Sequence, residues 1–315
     1  PSKTLRETAL NLSGWRERGF YGRSYRVRTA IGRIDLSNRL DKTLDHEVDV
    51  LEHQFQRNGV ETMAGFARFV DPHSIAVTFA DGSEITLSGE RFVIAVGTVP
   101  HRPPDIDFDD PDILDSDEIA EVPRMPRSLT VVGAGVIGIE YATIFSALDV
   151  TVTIIEPRQT LLDFVDREII EEFVHQLRDR GVRLQLGAAV TAVARAEGKV
   201  VATLEDGRTV ASDMLLYCAG RIGATQRLGL DACGIDCDGR GRIAVDPDTF
   251  QTCMSHIYAA GDVIGFPSLA STSMEQGRIA ACHAFGLPLP PAPQFFPYGI
   301  YSVPETSTVG LTEAE

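Results

Sequence analysis

The stretch Thr130-Val-Val-Gly-Ala-Gly-Val-Ile-Gly-Ile-Glu140 decides how the chain is read. An apolar run from Thr130 ends in Gly133-x-Gly135-x-x-Gly138 and passes into a helical pattern. Eighteen residues after Gly138, a second apolar run, Val150 to Ile155, ends in the acid Glu156. Strand, glycine turn, helix, strand and acid, in that order, describe a dinucleotide-binding unit. Gly133 allows the tight turn, Gly135 lets the backbone approach a pyrophosphate, and Gly138 lets the helix pack closely on the strand. The helix start at Val136 and Ile137 then offers unpaired N–H groups and the positive end of the helix dipole to phosphates. Glu156 is placed to accept hydrogen bonds from ribose hydroxyls, which favours NAD(H). Arg158 either faces a 2′-phosphate, as NADP(H) would carry, or simply faces solvent. The motif sits in mid-chain, so other structure precedes it.

Bulk properties narrow the class. The 315 residues suffice for about two domains, and 43% hydrophobic with 23% charged residues suits an ordinary globular protein with a large core. A net charge of −16 argues against nucleic acid or an anionic membrane as partner, since both need clustered Lys and Arg. No apolar stretch approaches the length of a membrane span, and no signal peptide is visible. Five cysteines are too few for a disulfide scaffold and fit a reducing cytoplasm. Cys233 and Cys237 form a lone C-x3-C with no second pair, so no metal site is expected. The start at Pro1-Ser-Lys3 and the end at Thr312-Glu-Ala-Glu315 read as cuts in a longer protein.

Along the chain, helices are expected over residues 4–12 and 40–57, the latter from an apolar stripe at Leu44, Val48, Leu51 and Phe55. Residues 60–70 read as a strand. Strands over 74–79 and 83–87 flank the hairpin signal Asp81-Gly82, and a short strand over 92–96 ends in Gly97. Residues 100–126, rich in Pro and Asp, read as a solvated linker carrying a domain boundary. Beyond Glu156, a helix over 166–180 closes at Gly181, and strands follow over 182–186, 190–195, 199–204 and 208–210 with Asp206-Gly207 as a turn. Another strand, 214–218, leads to Gly220, and a helix is read over 276–285. The two halves echo one another, each running through an Asp-Gly hairpin to a short strand ending in glycine; chance and duplication both explain this. Asp262, in Ala260-Gly-Asp262, would either hold a cofactor hydroxyl or cap the helix beyond it.

The segments Pro1-Ser-Lys3, Ala95-Val-Gly-Thr98, Gly133 to Ala142, Gly220-Arg221 and Ala260-Gly-Asp262, in this order, resemble the flavoprotein pyridine-nucleotide oxidoreductases, and the likeness spans essentially the whole chain. Further segments, Gly65 to Asp71, Gly261 to Ala270 and Gly299 to Glu305, resemble most the members that pass hydride between nucleotides; a disulfide-reducing relative and a nucleotide-binding module without turnover are the alternative readings. The resemblance implies an α/β fold of two Rossmann-like three-layer domains, the NAD(P) domain inserted into the FAD domain. The implied division is 1–118 for FAD, 119–250 for NAD(P), 251–292 for FAD again and 293–315 for the start of a dimerisation domain. It implies FAD, NAD and NADP as cofactors and a homodimeric parent. Lys3 would lie by the flavin ring and pair with Glu140 behind the nicotinamide, the two forming the catalytic set. Gly97 and Thr98 would approach the FAD phosphates, Asp262 its ribityl and phosphate region, and Leu269 and Ala270 the flavin. Gly133, Gly135, Val136, Ile137, Gly138, Glu140, Glu156, Arg158 and Gly220 would line the NAD(P) site, with Gly65 and Val190 as further cofactor contacts. The family's first glycine loop and redox cysteine pair would precede Pro1, and its catalytic His would follow Glu315.

Overall fold

A computed structural model describes residues 1–22, 24–28, 31–288 and 295–315. The chain divides into two compact units that interleave in sequence. The first comprises Pro1–Arg57, Pro100–Gly220 and Pro297–Glu315; the second comprises Asn58–Val99 and Arg221–Phe296.

The first unit is built on a five-stranded sheet whose order is Ile113–Asp115, Met214–Tyr217, Ser128–Val132, Thr151–Glu156 and Arg183–Leu186. Every pairing in it is parallel. Its strands read as apolar runs because both faces are covered. On one face lie the helix Val136–Ala147, which follows the glycine loop, the helix Arg167–Asp179, and the N-terminal helix Ser2–Ser13. Their apolar residues, among them Ile139, Phe145, Leu177, Leu5 and Ala9, share one core with Leu129, Val131 and Ile154 of the sheet. On the other face Val132, Ile155 and Leu215 meet Val193, Val200 and Ala202 of an antiparallel meander formed by Val190–Ala196, Lys199–Leu204 and Thr209–Ser212. Three layers result: helices, parallel sheet and meander.

The second unit carries its own antiparallel meander, Gly65–Asp71, Ser74–Phe79 and Glu84–Ser88. Next to it in the chain, Phe92–Ile94 pairs in parallel with Ile257–Ala259. Phe69, Ile94, Leu228, Ile257 and Val263 belong to the core of this unit, and the helix Ala270–Ala284 packs Ala280 against Tyr258. The echo between the halves is therefore architectural. Each half has a three-stranded meander turned at an Asp-Gly pair, then a short parallel strand leading to a glycine at positive φ (Gly97, +66°; Gly220, +114°).

Three sequence readings need correction. Residues 100–126 are no solvated linker: Ile113–Asp115 is an edge strand of the parallel sheet, and Ile113, Leu114, Ile119 and Val122 are buried. Asp105, Asp107 and Asp109 are exposed, but the later acids are paired, Asp115 with Arg102, Asp112 with Arg124 and Arg195, and Asp110 with Arg195. The long helix spans Arg33–Arg57, and its buried contacts are Leu36 and Leu40; the stripe Leu44, Val48, Leu51 and Phe55 is between 42% and 53% exposed. The strand read from residue 60 begins at Gly65. Residues 1–57 join the first unit because Leu5, Ala9, Leu36 and Leu40 share the core of the parallel sheet. Compactness thus cuts the chain at different places from the division by cofactor at 118/119 and 250/251. The cut expected at 292/293 lies outside the described residues.

Candidate functional site

The strand Ser128–Val132 stops where Gly133 adopts φ +103°, a conformation that only glycine takes without strain. The Gly133 N–H donates to the Ile155 carbonyl at 2.9 Å, which ties the turn to the neighbouring strand. A Cβ on Gly138 would collide with the Gly133 carbonyl and lie 2.8 Å from Cys218 Sγ, so close helix–strand packing forbids any side chain there. A Cβ on Gly135 would meet nothing within 4 Å. That open side is where a phosphate has room to approach the backbone. Gly135 is also the N-cap of the Val136–Ala147 helix, and no side chain caps it. The N–H groups of Val136 and Ile137, in the first turn, are thus left for a ligand.

Glu156 ends the next strand, and its side chain is buried. Its Oε2 accepts the Ala134 N–H at 2.7 Å; its Oε1 accepts the Arg158 N–H at 3.0 Å and Nε at 2.9 Å. The carboxylate therefore clamps its own glycine loop. Burial works against its charge, but the hydrogen bonds from Arg158 and Ala134 outweigh it and hold the carboxyl below its usual range. Arg158 lies beside this clamp. It is half-exposed, and its guanidinium is shared between Glu156 and Asp163, whose Oδ2 lies 3.1 Å from Nη1.

Gly220 follows the strand Met214–Tyr217, with open space where a Cβ would be. Gly133, Glu156 and Gly220 thus follow the carboxyl ends of three strands adjacent in one parallel sheet, where α/β sheets hold ligands. Val190 is partly buried and packs against the core between the sheet and its meander.

Glu140 is buried on the Val136–Ala147 helix. The expected direct pair with Lys3 is not made. The Glu140 Oε1 accepts the Tyr301 N–H at 2.8 Å, while Lys3 Nζ lies 5.2 Å from the centre of the Tyr301 ring. Tyr301 thus touches both residues, Glu140 through its backbone N–H and Lys3 through its ring.

In the second unit, Gly97 and Asp262 follow the carboxyl ends of the paired strands Phe92–Ile94 and Ile257–Ala259. Gly97 has φ +66° and open space beside it, and its carbonyl accepts the Ala224 N–H. Thr98 Oγ1 accepts from Arg221 Nε at 2.8 Å. Asp262 opens a short 3₁₀ turn after Gly261, and the next helix is capped by Leu269 without a side-chain bond, so Asp262 is not its cap. Leu269 and Ala270 sit at that uncapped helix start. At Gly65 a Cβ would lie 2.6 Å from Val77 Cγ1 and 2.9 Å from the Thr78 carbonyl across the meander.

Sequence reasoning assigned no role to Asp163, Tyr301 or Cys218. The Cys218 thiol donates to the Val132 and Gly133 carbonyls at 3.2 and 3.3 Å, and burial pushes its pKa up, so it is a neutral strut under the loop. Its place just before Ala219-Gly220, at a strand end, was the available signal. Asp163 and Tyr301 carried none, since their contacts arise only from folding.

A family profile described as pyridine nucleotide-disulphide oxidoreductase matches residues 9–277. The chain is 49% identical to a soluble pyridine nucleotide transhydrogenase of Mycobacterium bovis, covering 100% of this chain and 67% of that protein. It is 38% identical to the protein of the same name from Shigella flexneri, with the same coverages. Among solved structures, LpdA from Mycobacterium tuberculosis matches with a TM-score of 0.90 at 29% identity, over 100% of this chain and 69% of that one. The HOCl-induced flavoprotein disulfide reductase RclA from Escherichia coli matches with a TM-score of 0.85 at 26% identity, over 100% and 68%.

Proposed function

The chain belongs to the pyridine nucleotide-disulphide oxidoreductase family, and from that premise we propose that it serves FAD-dependent hydride transfer between NADPH and NAD+. The observation that carries this reading is the glycine loop after Val132. It is held in shape by Glu156, open on the Gly135 side and followed by an uncapped helix. Such a loop is preorganised for the pyrophosphate of a nicotinamide nucleotide. In this reading Gly133, Gly135, Val136, Ile137, Gly138 and Gly220 receive the nucleotide, and Glu156 with Arg158 meets its adenosine ribose. One site serves both nucleotides because Arg158 can turn to a 2′-phosphate, while Glu156 suits a free 2′-hydroxyl.

The second unit supplies residues that suit FAD. The open side of Gly97, the Asp262 carboxylate and the uncapped helix start at Leu269 and Ala270 match the donors and acceptors that a flavin dinucleotide requires. When bound, FAD supplies the hydride-accepting and hydride-donating chemistry. The chain's own part is positioning and charge. Lys3 and Glu140 are each set by a contact with Tyr301, Lys3 against its ring and Glu140 at its backbone N–H. The division of 1–118 and 251–292 to FAD, and 119–250 to NAD(P), is part of this proposal. So are a homodimeric parent and a cytoplasmic setting, where both nucleotides are available. Among the described residues no helix is long and apolar enough to cross a membrane.

The experiment is to purify the protein with FAD and follow hydride passage from NADPH to thionicotinamide-NAD+. Transfer without added dithiol is expected. Bound flavin with no transfer, together with NADH-linked reduction of lipoamide, would assign the chain to the disulfide-reducing branch that the likeness to RclA favours. Arg158→Ala is expected to weaken NADPH binding about tenfold with little change for NADH, the loss of one charge-assisted phosphate contact. An equal effect on both nucleotides would remove Arg158 from the 2′-phosphate role.

A further inference from the structure

Within the first unit, away from the glycine loop, lies a cavity of about 560 Å³. Its lining includes Trp15, Arg18, Arg26, Asp149, Gln176 and Arg180. The size falls in the usual range of small-molecule sites. Its charge balance is uneven. Arg18 and Arg26 share one carboxylate: Arg18 meets both oxygens of Asp149 at 3.1 and 3.2 Å, and Arg26 Nη2 lies 2.7 Å from Oδ2. Arg180 has no carboxylate within ion-pair distance among the described residues. It donates to the Val303 carbonyl and to Gln176 Oε1 at 3.4 Å, and stacks 4.8 Å from the centre of the Trp15 ring. The other acid on the lining, Asp179, is 62% exposed and faces His175.

Arg18 is the cation that water reaches least. The Arg18 side chain is only 10% exposed, and its buried Nε has no hydrogen-bond partner. Burial also lowers the pKa of Arg180, the mark of a guanidinium short of solvation. A buried N–H donor left unmet and a cation without its anion both cost stability unless a ligand supplies the acceptor. Guanidinium groups are forked donors matched to phosphate oxygens. We propose that this cavity binds a phosphate group, as free phosphate or as the monoester of a small molecule, with Arg180 and Arg26 as the main contacts and Arg18 Nε as the unmet donor. Nothing in this inference depends on the nucleotide chemistry of the glycine loop.

The test is site-resolved arginine labelling of the purified protein with phenylglyoxal, read by mass spectrometry, with and without inorganic phosphate or phenyl phosphate. Each probe in its bound form is expected to slow labelling of Arg180 and Arg26, with Arg158 as the control for phosphate on the glycine loop. Stronger protection by phenyl phosphate would identify a monoester as the preferred form; protection by inorganic phosphate alone would identify the free ion. In Arg180→Gln the phosphate concentration needed to protect Arg26 should rise roughly tenfold, whereas Arg180→Lys should largely retain protection. Labelling of Arg180 and Arg26 that neither probe alters in the wild-type protein would overturn the proposal, and so would protection confined to Arg158. The wild-type labelling decides the matter even if an Arg180 variant fails to fold.

Discussion

Arg158 is held by two carboxylates, Glu156 at 2.9 Å and Asp163 at 3.1 Å. A 2′-phosphate approaching this arginine competes with Asp163, because Glu156 is already committed to the loop through Ala134. The Arg158–Asp163 pair is exposed and worth at most about 1 kcal/mol. Asp163→Asn is therefore expected to raise affinity for NADPH about fivefold and leave NADH unchanged, as fluorescence titration of the reduced nucleotides would check. The glycines make a second contrast. Gly138→Ala drives a methyl into the Gly133 carbonyl and should cost about 3 kcal/mol in denaturant unfolding. Gly135→Ala places its methyl in open space, so stability should fall by no more than about 1 kcal/mol while nucleotide binding is lost. Binding retained in Gly135→Ala would mean that the open side of the loop is not where the phosphates lie. At this scale the sequence was legible where one residue type alone fits. Gly133 and Gly138 answer to φ and to close approach, and both are visible in the spacing. The clamp of Glu156 on Ala134, and the contacts of Tyr301 with Lys3 and Glu140, depend on residues that meet only after folding.

Periodicity announced most elements of the nucleotide-binding half because each is long or bounded by glycine. The Val136–Ala147 helix starts at Gly135, and Gly181, at φ +83°, follows the Arg167–Asp179 helix. The edge strand Ile113–Asp115 stayed hidden because three residues make no period and the neighbouring acids mimic a solvated run. Those acids are neutralised at a distance. Arg195, from the meander, reaches Asp110 and Asp112, 85 and 83 residues away in sequence. The Leu44 to Phe55 stripe shows the reverse failure. A helical pattern reveals which side of a helix is apolar, and it cannot reveal whether anything in the chain packs there.

For the molecule as a whole, carboxylates bound to cations and backbone N–H groups set the response to acid. Asp213, beside Lys199, is held down to about 2. The Asp110 carboxyl is lowered by Arg195. Burial opposes the charge of Asp115, but N–H groups of Glu118 and Asp117 and the Arg102 guanidinium prevail and lower it too. Each folded pKa lies below the ordinary 3.8, so each group stabilises the fold fully above that pH and loses its contribution as pH falls through the folded value. Stability followed by circular dichroism should change little between pH 7 and about pH 5 on their account, then fall steeply below about pH 4. Asp213→Asn should flatten that acid limb; an unchanged limb would exclude Asp213 from it.

The segment Pro100–Gly220 lies between the two stretches of the second unit, and its ends meet: the His101 N–H donates to the Gly220 carbonyl at 3.1 Å. A segment whose entry and exit coincide closes its own loop, so a host chain spends little conformational freedom in accepting it. The nucleotide-binding loop thus lies on a segment whose entry and exit adjoin, and the rest of its own unit is fastened to that segment through Leu5, Ala9, Leu36 and Leu40 and through the backbone of Tyr301 and Val303.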